Sequence, residues 1–310
     1  MNFTLKIAGT ASARPVTGRY PSAQVLDVRG RLFLFDCGEG TQMRLLRMGI
    51  SIQAIDTICI SHIHGDHLFG IFGLLSTMGM LGRTRDLDIF APRSFGPVLK
   101  FFLSYFGEGL KFRIEHHQMN MKSPEPVLTG KSFTLTAFPL KHRVETFGYM
   151  VSENEPLFNV RKEKITEYGL LLSEIAALKR GEDIVRKDGT VILNSDVAYK
   201  PYKPRRYAYC SDTAPFPELS GWVEGVDLLY HEATFPESLT ELAGSTFHST
   251  TVQAAECAAA AKVGKLVVGH YSSRFRDVSF YLDEIKRIFP NVELAREGSV
   301  FEVPLEKNFD

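Results

Sequence analysis

The stretch IDTICISHIHGDHLFGIFGLL, residues 55–75, decides how the rest of the chain is read. Ile55–Ile60 is an apolar, β-branched run of the kind that forms a buried strand, and the apolar run after residue 67 reads as a helix. Between them His62, His64, Asp66 and His67 crowd into a turn, four potential metal ligands within six residues at the mouth of a strand. Imidazole suits zinc and carboxylate is compatible with it, while Gly65 permits a tight loop that aims neighbouring side chains in different directions. A lone histidine at a strand end is ordinarily a half-buried hydrogen-bonding side chain, but this grouping is of another kind. One ion would not easily use all four. His62 and His64 are expected to face one ion and Asp66 and His67 a second, each site completed from elsewhere in the chain.

The complete HxHxDH resembles the signature of the metallo-β-lactamase superfamily. That resemblance implies an α/β fold, an αββα sandwich with a two-metal hydrolase centre on one edge, and it leaves the substrate open. A chain of 310 residues, 44% apolar and 23% charged, is long enough for such a core and has ordinary globular composition. Lys plus Arg and Asp plus Glu are both 36, which argues against a generally basic nucleic-acid-binding surface but leaves room for a local patch. The start, MNFTLKIAGTASARP, lacks a basic segment followed by a long apolar core, and no run reaches transmembrane length, so a cytoplasmic protein without membrane attachment is expected. Cys37, Cys59, Cys210 and Cys257 form no CxxC pair and read as reduced, partly buried thiols.

Strands are expected at 3–9, 24–28, 31–38, 87–92, 133–142, 147–153, 207–213 and 227–234, with helices at 41–50, 68–81, 95–105, 251–263 and 280–289. Asp36 and Glu39 flank Gly38 at a strand-to-helix transition, where Glu39 either favours a helix N-terminus or supports the metal site from behind. The glycines within 68–81 imply either close packing or a weak helix. His116 and His117 end a strand with no other ligand type beside them. The segment Asn154–Arg206 is turn-rich and interrupted by prolines and glycines. Between Arg161 and Arg206 it carries eleven Lys or Arg against seven Asp or Glu, a positive excess inside a neutral chain. It reads as an excursion from a single sandwich spanning residues 1–310, either a solvated insertion or a basic arm for phosphates.

Read with the superfamily pattern, His62, His64 and His142 resemble the ligands of one metal and Asp66, His67 and His270 those of the other, with Asp212 resembling the bridging carboxylate. HEAT at 231–234, HST at 248–250 and the loop after Gly9 further resemble the long-range motifs of the ribonuclease Z family, and the likeness runs from KIAGTASARP to VGHYSSRF. It implies a zinc-dependent endoribonuclease that removes the 3′ trailer of precursor tRNA, with two divalent ions per chain, zinc first and Mn2+ or Mg2+ also compatible. Asp66, His248 and Glu232 would be catalytic, His248 assisting at the phosphate or the leaving oxygen with Glu232 as its partner. The resemblance also implies a homodimer in which residues 154–206 form an arm serving tRNA bound across the partner. Such arms often carry a Gly-Pro motif, whereas this chain has YGLLLSEIAALKRG at 168–181. Another two-metal phosphodiesterase or a thioester hydrolase would use the same ligands without needing HEAT, HST or the basic excursion. A noncatalytic nucleic-acid-binding protein would need the basic surface but not every ligand.

Overall fold

A computed structural model describes residues 1–308. Two seven-stranded sheets stack face to face. The first runs Val300–Glu302, Phe3–Gly9, Ala23–Val28, Arg31–Phe35, Ile55–Cys59, Leu87–Pro92, Ile114–Met119 in spatial order. The second runs Val292–Leu294, Lys265–Gly269, Leu228–Glu232, Arg206–Cys210, Thr146–Glu153, Phe133–Leu140, Glu125–Thr129. Strand alternation divides the apolar residues between layers. Phe33 and Phe35 point between the sheets with Tyr207 and Tyr209, whereas Leu34 faces the helices Thr41–Arg47, Gly70–Met80 and Phe95–Phe106. Ala208 and Cys210 face the opposite helical layer, which includes Glu218–Trp222, Thr251–Ala260 and Tyr281–Lys286. The layers are therefore helix, sheet, sheet, helix, the metallo-β-lactamase-like sandwich.

The helix expected across 68–81 is broken. Gly65–Leu68 forms one turn and Gly70–Met80 a second helix. The cause is close packing: Gly70 N–H donates to Cys37 O at 2.8 Å, and a Cβ on Gly70 would collide with the carbonyl of Gly38. Helix 251–263 is shorter than expected, ending at Ala260, and Thr250 caps it through a reciprocal pair with Gln253.

In each sheet a run of parallel strands ends on one edge. In the first these are Arg31–Phe35, Ile55–Cys59, Leu87–Pro92 and Ile114–Met119, and in the second Arg206–Cys210, Leu228–Glu232, Lys265–Gly269 and Val292–Leu294. Loops leaving the carboxyl ends of such strands are where open α/β sheets place ligands.

The excursion leaves at the other end. Thr146–Glu153 and Arg206–Cys210 are antiparallel neighbours, so the segment departs after Glu153 and returns at Arg206, six residues before Asp212 and, at about 3.3 Å per residue, roughly 20 Å from it. Within this turn-rich segment, residues 154–205 contain helices Lys162–Glu167, Leu172–Lys179 and Asn194–Val197. They enclose an apolar cluster of their own built on Leu170, Leu178, Ile192 and Val197. Pairing of Asn159–Val160 with Ala198–Tyr199 closes its neck.

A buried ionic clasp fixes the root. Glu153 Oε2 accepts from Arg205 N and Nε at 3.0 and 2.9 Å, and its Oε1 accepts from Arg205 Nη2 at 2.8 Å and Arg29 Nε at 2.7 Å. Burial alone would raise the Glu153 carboxyl, but the hydrogen bonds from Arg205 and Arg29 outweigh it and hold the group below its usual 4.5. Glu153→Gln strands the buried Arg205 guanidinium and should cost about 3–5 kcal/mol of stability in urea unfolding at neutral pH. Because the folded carboxyl titrates below its unfolded value, the charge contribution is fully present above pH 4.5 and is lost as pH falls through the folded value. The stability gap between parent and variant should therefore narrow in acid, and a gap independent of pH would refute the ionic reading.

Candidate metal and catalytic centre

Strand exits build the centre. Asp36 follows Arg31–Phe35, and the 61–67 turn follows Ile55–Cys59. On the second sheet His142 follows Phe133–Leu140, Asp212 follows Arg206–Cys210, Glu232 ends Leu228–Glu232, and His270 follows Lys265–Gly269. Of the six non-glycine residues with positive φ among the described residues, Ala13, Asp36, Phe247 and His270 lie in or against this centre. Such a concentration of sparsely populated backbone is expected where side chains must be aimed rather than merely packed.

Seven sequence-expected ligand residues converge. His62, His64, His142 and Asp212 offer ligand atoms within 4.8 Å of one another, and so do Asp66, His67 and His270. Asp212 stands between the two sets. Its Oδ2 lies 3.7 and 3.9 Å from Nε2 of His62 and His142, while its Oδ1 lies 3.4 and 3.2 Å from Nε2 of His67 and His270.

Hydrogen bonds behind the rings fix which nitrogen is bare. His67 Nδ1 donates to Asp36 Oδ2 at 2.7 Å, and His62 Nδ1 donates to Ser61 Oγ at 3.0 Å, whose own proton goes to Asp36 at 2.8 Å. His142 Nδ1 donates to Phe247 O at 2.9 Å, and His270 Nδ1 to Thr234 Oγ1 at 2.8 Å. Each of these four imidazoles turns Nε2 towards Asp212, and the Nε2 atoms of His67 and His270 lie 3.2 Å apart. His64 instead meets His62 Nε2 through Nδ1, 2.9 Å away. Asp66 Oδ2 accepts the backbone N–H of Ala13 at 2.7 Å.

A cation fits this arrangement. His142 Nε2 and Asp212 Oδ1 are buried and have no hydrogen-bond partner among the described residues, a costly state for two acceptors unless positive charge faces each of them. Burial pushes His62 well below its usual range and lowers His64 and His142, keeping these rings neutral as ligands must be. At His67 burial also acts to lower the ring, but Asp212, Asp66 and Asp36 around it outweigh burial and favour positive charge there.

Beside the ligands sits a second network. Glu232 is fully buried; its Oε1 accepts from Thr213 N at 3.0 Å, Ser249 N at 3.0 Å and His248 Nδ1 at 2.9 Å, and its Oε2 from Thr234 N at 3.0 Å and Thr234 Oγ1 at 2.6 Å. Burial would lower the His248 ring, but Glu232 and then Asp212 outweigh it and raise it to about 9. His248 remains 13% exposed, its ring centroid 5.1 Å from that of His142. It also comes within ligand distance of Asp212 and His270.

Comparison with known proteins gives the family. Over 296 residues the chain is 40% identical to the ribonuclease Z of Bacteroides fragilis, covering 96% of this chain and 97% of that protein. It is 41% identical to the ribonuclease Z of Parabacteroides distasonis, covering 96% and 98%. The chain belongs to the ribonuclease Z family. The solved structure of human tRNase Z, short form, shares the fold with a TM-score of 0.72 at 24% identity, covering 97% of this chain and 99% of that one. A metallo-β-lactamase fold protein, YhfI from Bacillus subtilis, gives a TM-score of 0.69 at 18% identity, covering 98% and 100%. A family model described as anti-Pycsar protein Apyc1 matches residues 3–143, less than half of the chain and short of Asp212, Glu232, His248 and His270.

Other polar residues of this ribonuclease Z family member fall outside the centre. Glu39 is exposed, and it is Asp36 that backs the metal-ligand cluster. His117 pairs with Asp88 at 2.7 Å and stacks on Phe90, and His116 lies 3.4 Å from Ala91 O. His231 points to the opposite face from Glu232, towards Ser249 and Cys257 behind the centre. Ser61 and Asp36 support the ligand cluster without any motif having assigned them that role, and Thr234, the last residue of HEAT, supports His270.

Proposed function

We propose that this chain is an endoribonuclease that cleaves the 3′ trailer from precursor tRNA, leaving a 3′ hydroxyl on the tRNA. The observation that carries the reading is the Glu232–His248 pair set against a bridged set of seven metal-ligating side chains. A ligand cluster alone would suit any hydrolase of the superfamily.

In this reading His62, His64 and His142 hold one divalent ion, Asp66, His67 and His270 the other, and Asp212 lies between; histidine and carboxylate together favour zinc, with Mn2+ and Mg2+ also compatible. When bound, such ions supply positive charge to phosphate oxygens and make water a better nucleophile. Asp66 orients the attacking water or receives its proton, its second duty besides ligation. Glu232 holds His248 by Nδ1, which leaves Nε2 to assist at the scissile phosphate or the departing 3′ oxygen. Thr234, shared by Glu232 and His270, ties this catalytic arm to the ligand set. The test is incubation with defined precursor and mature tRNAs and mapping of both product ends. A single cut after the discriminator nucleotide supports the reading, while a ladder of shortened products or hydrolysis of small phosphodiesters alone would replace it with a general phosphodiesterase.

Residues 154–206 serve as the tRNA-holding arm of a single domain. Of their cations, Lys164, Arg180 and Arg186 are paired with Glu167, Glu182 and Glu174, whereas Lys162, Lys179 and Lys187 have no acidic partner among the described residues and remain for phosphates. Leu171 and Leu172, at the start of the helix Leu172–Lys179, are exposed to solvent in the stretch that lacks the Gly-Pro motif. Deleting the central part of the arm should weaken precursor cleavage much more than hydrolysis of a small phosphodiester. Equal losses on both would assign the segment to folding or chemistry.

The arm's root, at the opposite end of the strand Arg206–Cys210 from its own Asp212, suits a homodimer in which each arm serves the partner's centre. A face for that contact exists on the outer helices, where Phe69, Met80, Leu81, Phe101, Tyr105 and Phe106 are exposed. Sedimentation at the mass of one chain would refute the dimer. A cytoplasmic location accords with four unpaired cysteines and would be overturned by finding the protein in another compartment. Among the described residues no helix is long and apolar enough to cross a membrane.

A further inference from the structure

A groove of about 820 Å³ opens between the helix Phe95–Phe106 and the strand Ile114–Met119, at the end of the first sheet. Its mouth lies at the strand exits that build the centre. Arg93 follows Leu87–Pro92, the neighbour of the strand that delivers His62, and Glu145 comes three residues after His142. One wall is a single helix face, Gly96, Leu99, Lys100 and Leu103, at the i, i+3, i+4, i+7 spacing of neighbours on a helix. The other is the last strand of its sheet, where His116 and Gln118 share the face turned to that helix. The ring of His116 meets Phe95 edge-on at 5.2 Å. Glu145 Oε2 accepts the backbone N–H of Arg93 at 3.1 Å and so pins the mouth. The side chains of Arg93 and Lys100 are exposed, and among the described residues neither has a carboxylate within ion-pair distance. Neither the ligand cluster nor the Glu232–His248 pair uses any of these groups.

We propose that this groove receives the RNA trailer, the single-stranded nucleotides on the far side of the scissile phosphate from the tRNA body. The inference rests on the endonuclease reading above. Arg93 and Lys100 neutralise backbone phosphates, His116 offers a ring to an unstacked base, and Gln118 an amide to a base edge, over an apolar floor of Leu99 and Leu103. Charge distribution along the edge sets the polarity. The opposite flank carries Arg14 and Arg19 on the 10–22 loop, hydrogen-bonded to Ser273 and the carbonyl of Arg276, with Arg274 and Arg276 beside them. Four arginines suit the dense phosphates of a duplex acceptor stem, and a groove with two cations and an apolar floor suits unpaired bases.

The test uses the full-length, metal-loaded protein and two precursors of one tRNA, with a one-nucleotide and a long trailer. For the double variant Arg93→Glu, Lys100→Glu, the ratio of kcat/KM on the long trailer to that on the short one should fall on the order of 10-fold, and the salt dependence of long-trailer cleavage should flatten by roughly 0.7 in log–log slope for each phosphate no longer neutralised. If the parent cuts both precursors and the variant leaves the ratio unchanged, whether because both rates fall equally or because neither moves, the trailer site is overturned and the endonuclease reading stands. A parent that cuts neither precursor overturns both.

Discussion

Replacing His248 with alanine should slow single-turnover cleavage of precursor tRNA by about 10²–10⁴-fold, the range for a positioned acid or base, while metal content and tRNA affinity stay near those of the parent. The reason is geometric. Nδ1 of His248 is spent on Glu232 at 2.9 Å, the ring is the partly exposed member of a buried network, and His62, His67, His142 and His270 keep the hydrogen bonds behind their rings without it. Glu232→Gln should reproduce part of the loss, because the amide can still accept from the ring but no longer favours its charged form. Loss of metal from His248→Ala would move the residue into the ligand set, a position its distance to Asp212 and His270 permits. Near-normal cleavage would remove it from the chemistry.

A comparably large effect is expected at Asp36, which touches no substrate. Its carboxylate is completely buried and accepts from Ser61 N at 2.7 Å, Ser61 Oγ at 2.8 Å, His67 Nδ1 at 2.7 Å and the Tyr209 hydroxyl at 2.6 Å. Through Ser61 and His67 it sets the orientation of one ring from each ligand set. Asp36→Ala should lower metal affinity by about 10–100-fold, as loss of a partner behind a ligating histidine does, and each orphaned buried donor adds about 1–3 kcal/mol of destabilisation. Titration with a chromophoric chelator and thermal unfolding read the two effects separately. Rescue of activity by excess metal, without rescue in Asp212→Ala, would distinguish a supporting carboxylate from a ligating one. Unchanged metal affinity in a folded Asp36→Ala variant would contradict the role.

The sandwich was legible in the sequence because β-branched runs and an HxHxDH turn are short-range patterns, whereas the convergence of His142, Asp212 and His270 on that turn was legible only through the likeness of these strand-exit residues to the superfamily pattern. The supporting residues were not. Asp36 and Thr234 act through partners 31 and 36 residues away, and nothing in RLFLFDCG or HEAT singles them out from ordinary strand ends. Alternation along a strand did hold a usable signal at one point. His231 and Glu232 are adjacent, so only one of them could face the centre, and the neighbour of the ligands is Glu232. The excursion hid its helices for a physical reason. Its apolar positions are divided among helices of four to eight residues, too short for a periodic pattern, and they close on one another only when Asn159–Val160 meets Ala198–Tyr199. The break before Gly70 also lay beyond local reading, since it follows from the approach of a carbonyl some thirty residues earlier in the chain, that of Gly38.

The centre itself is tested most directly by counting ions. Fully active protein, exchanged exhaustively against metal-free buffer until loosely held ions are gone, should contain about two divalent ions per chain by elemental analysis, with zinc the main species. Asp212 faces His62 and His142 with one oxygen and His67 and His270 with the other, the arrangement from which that number is expected. A reproducible ratio near one at full activity would contradict it.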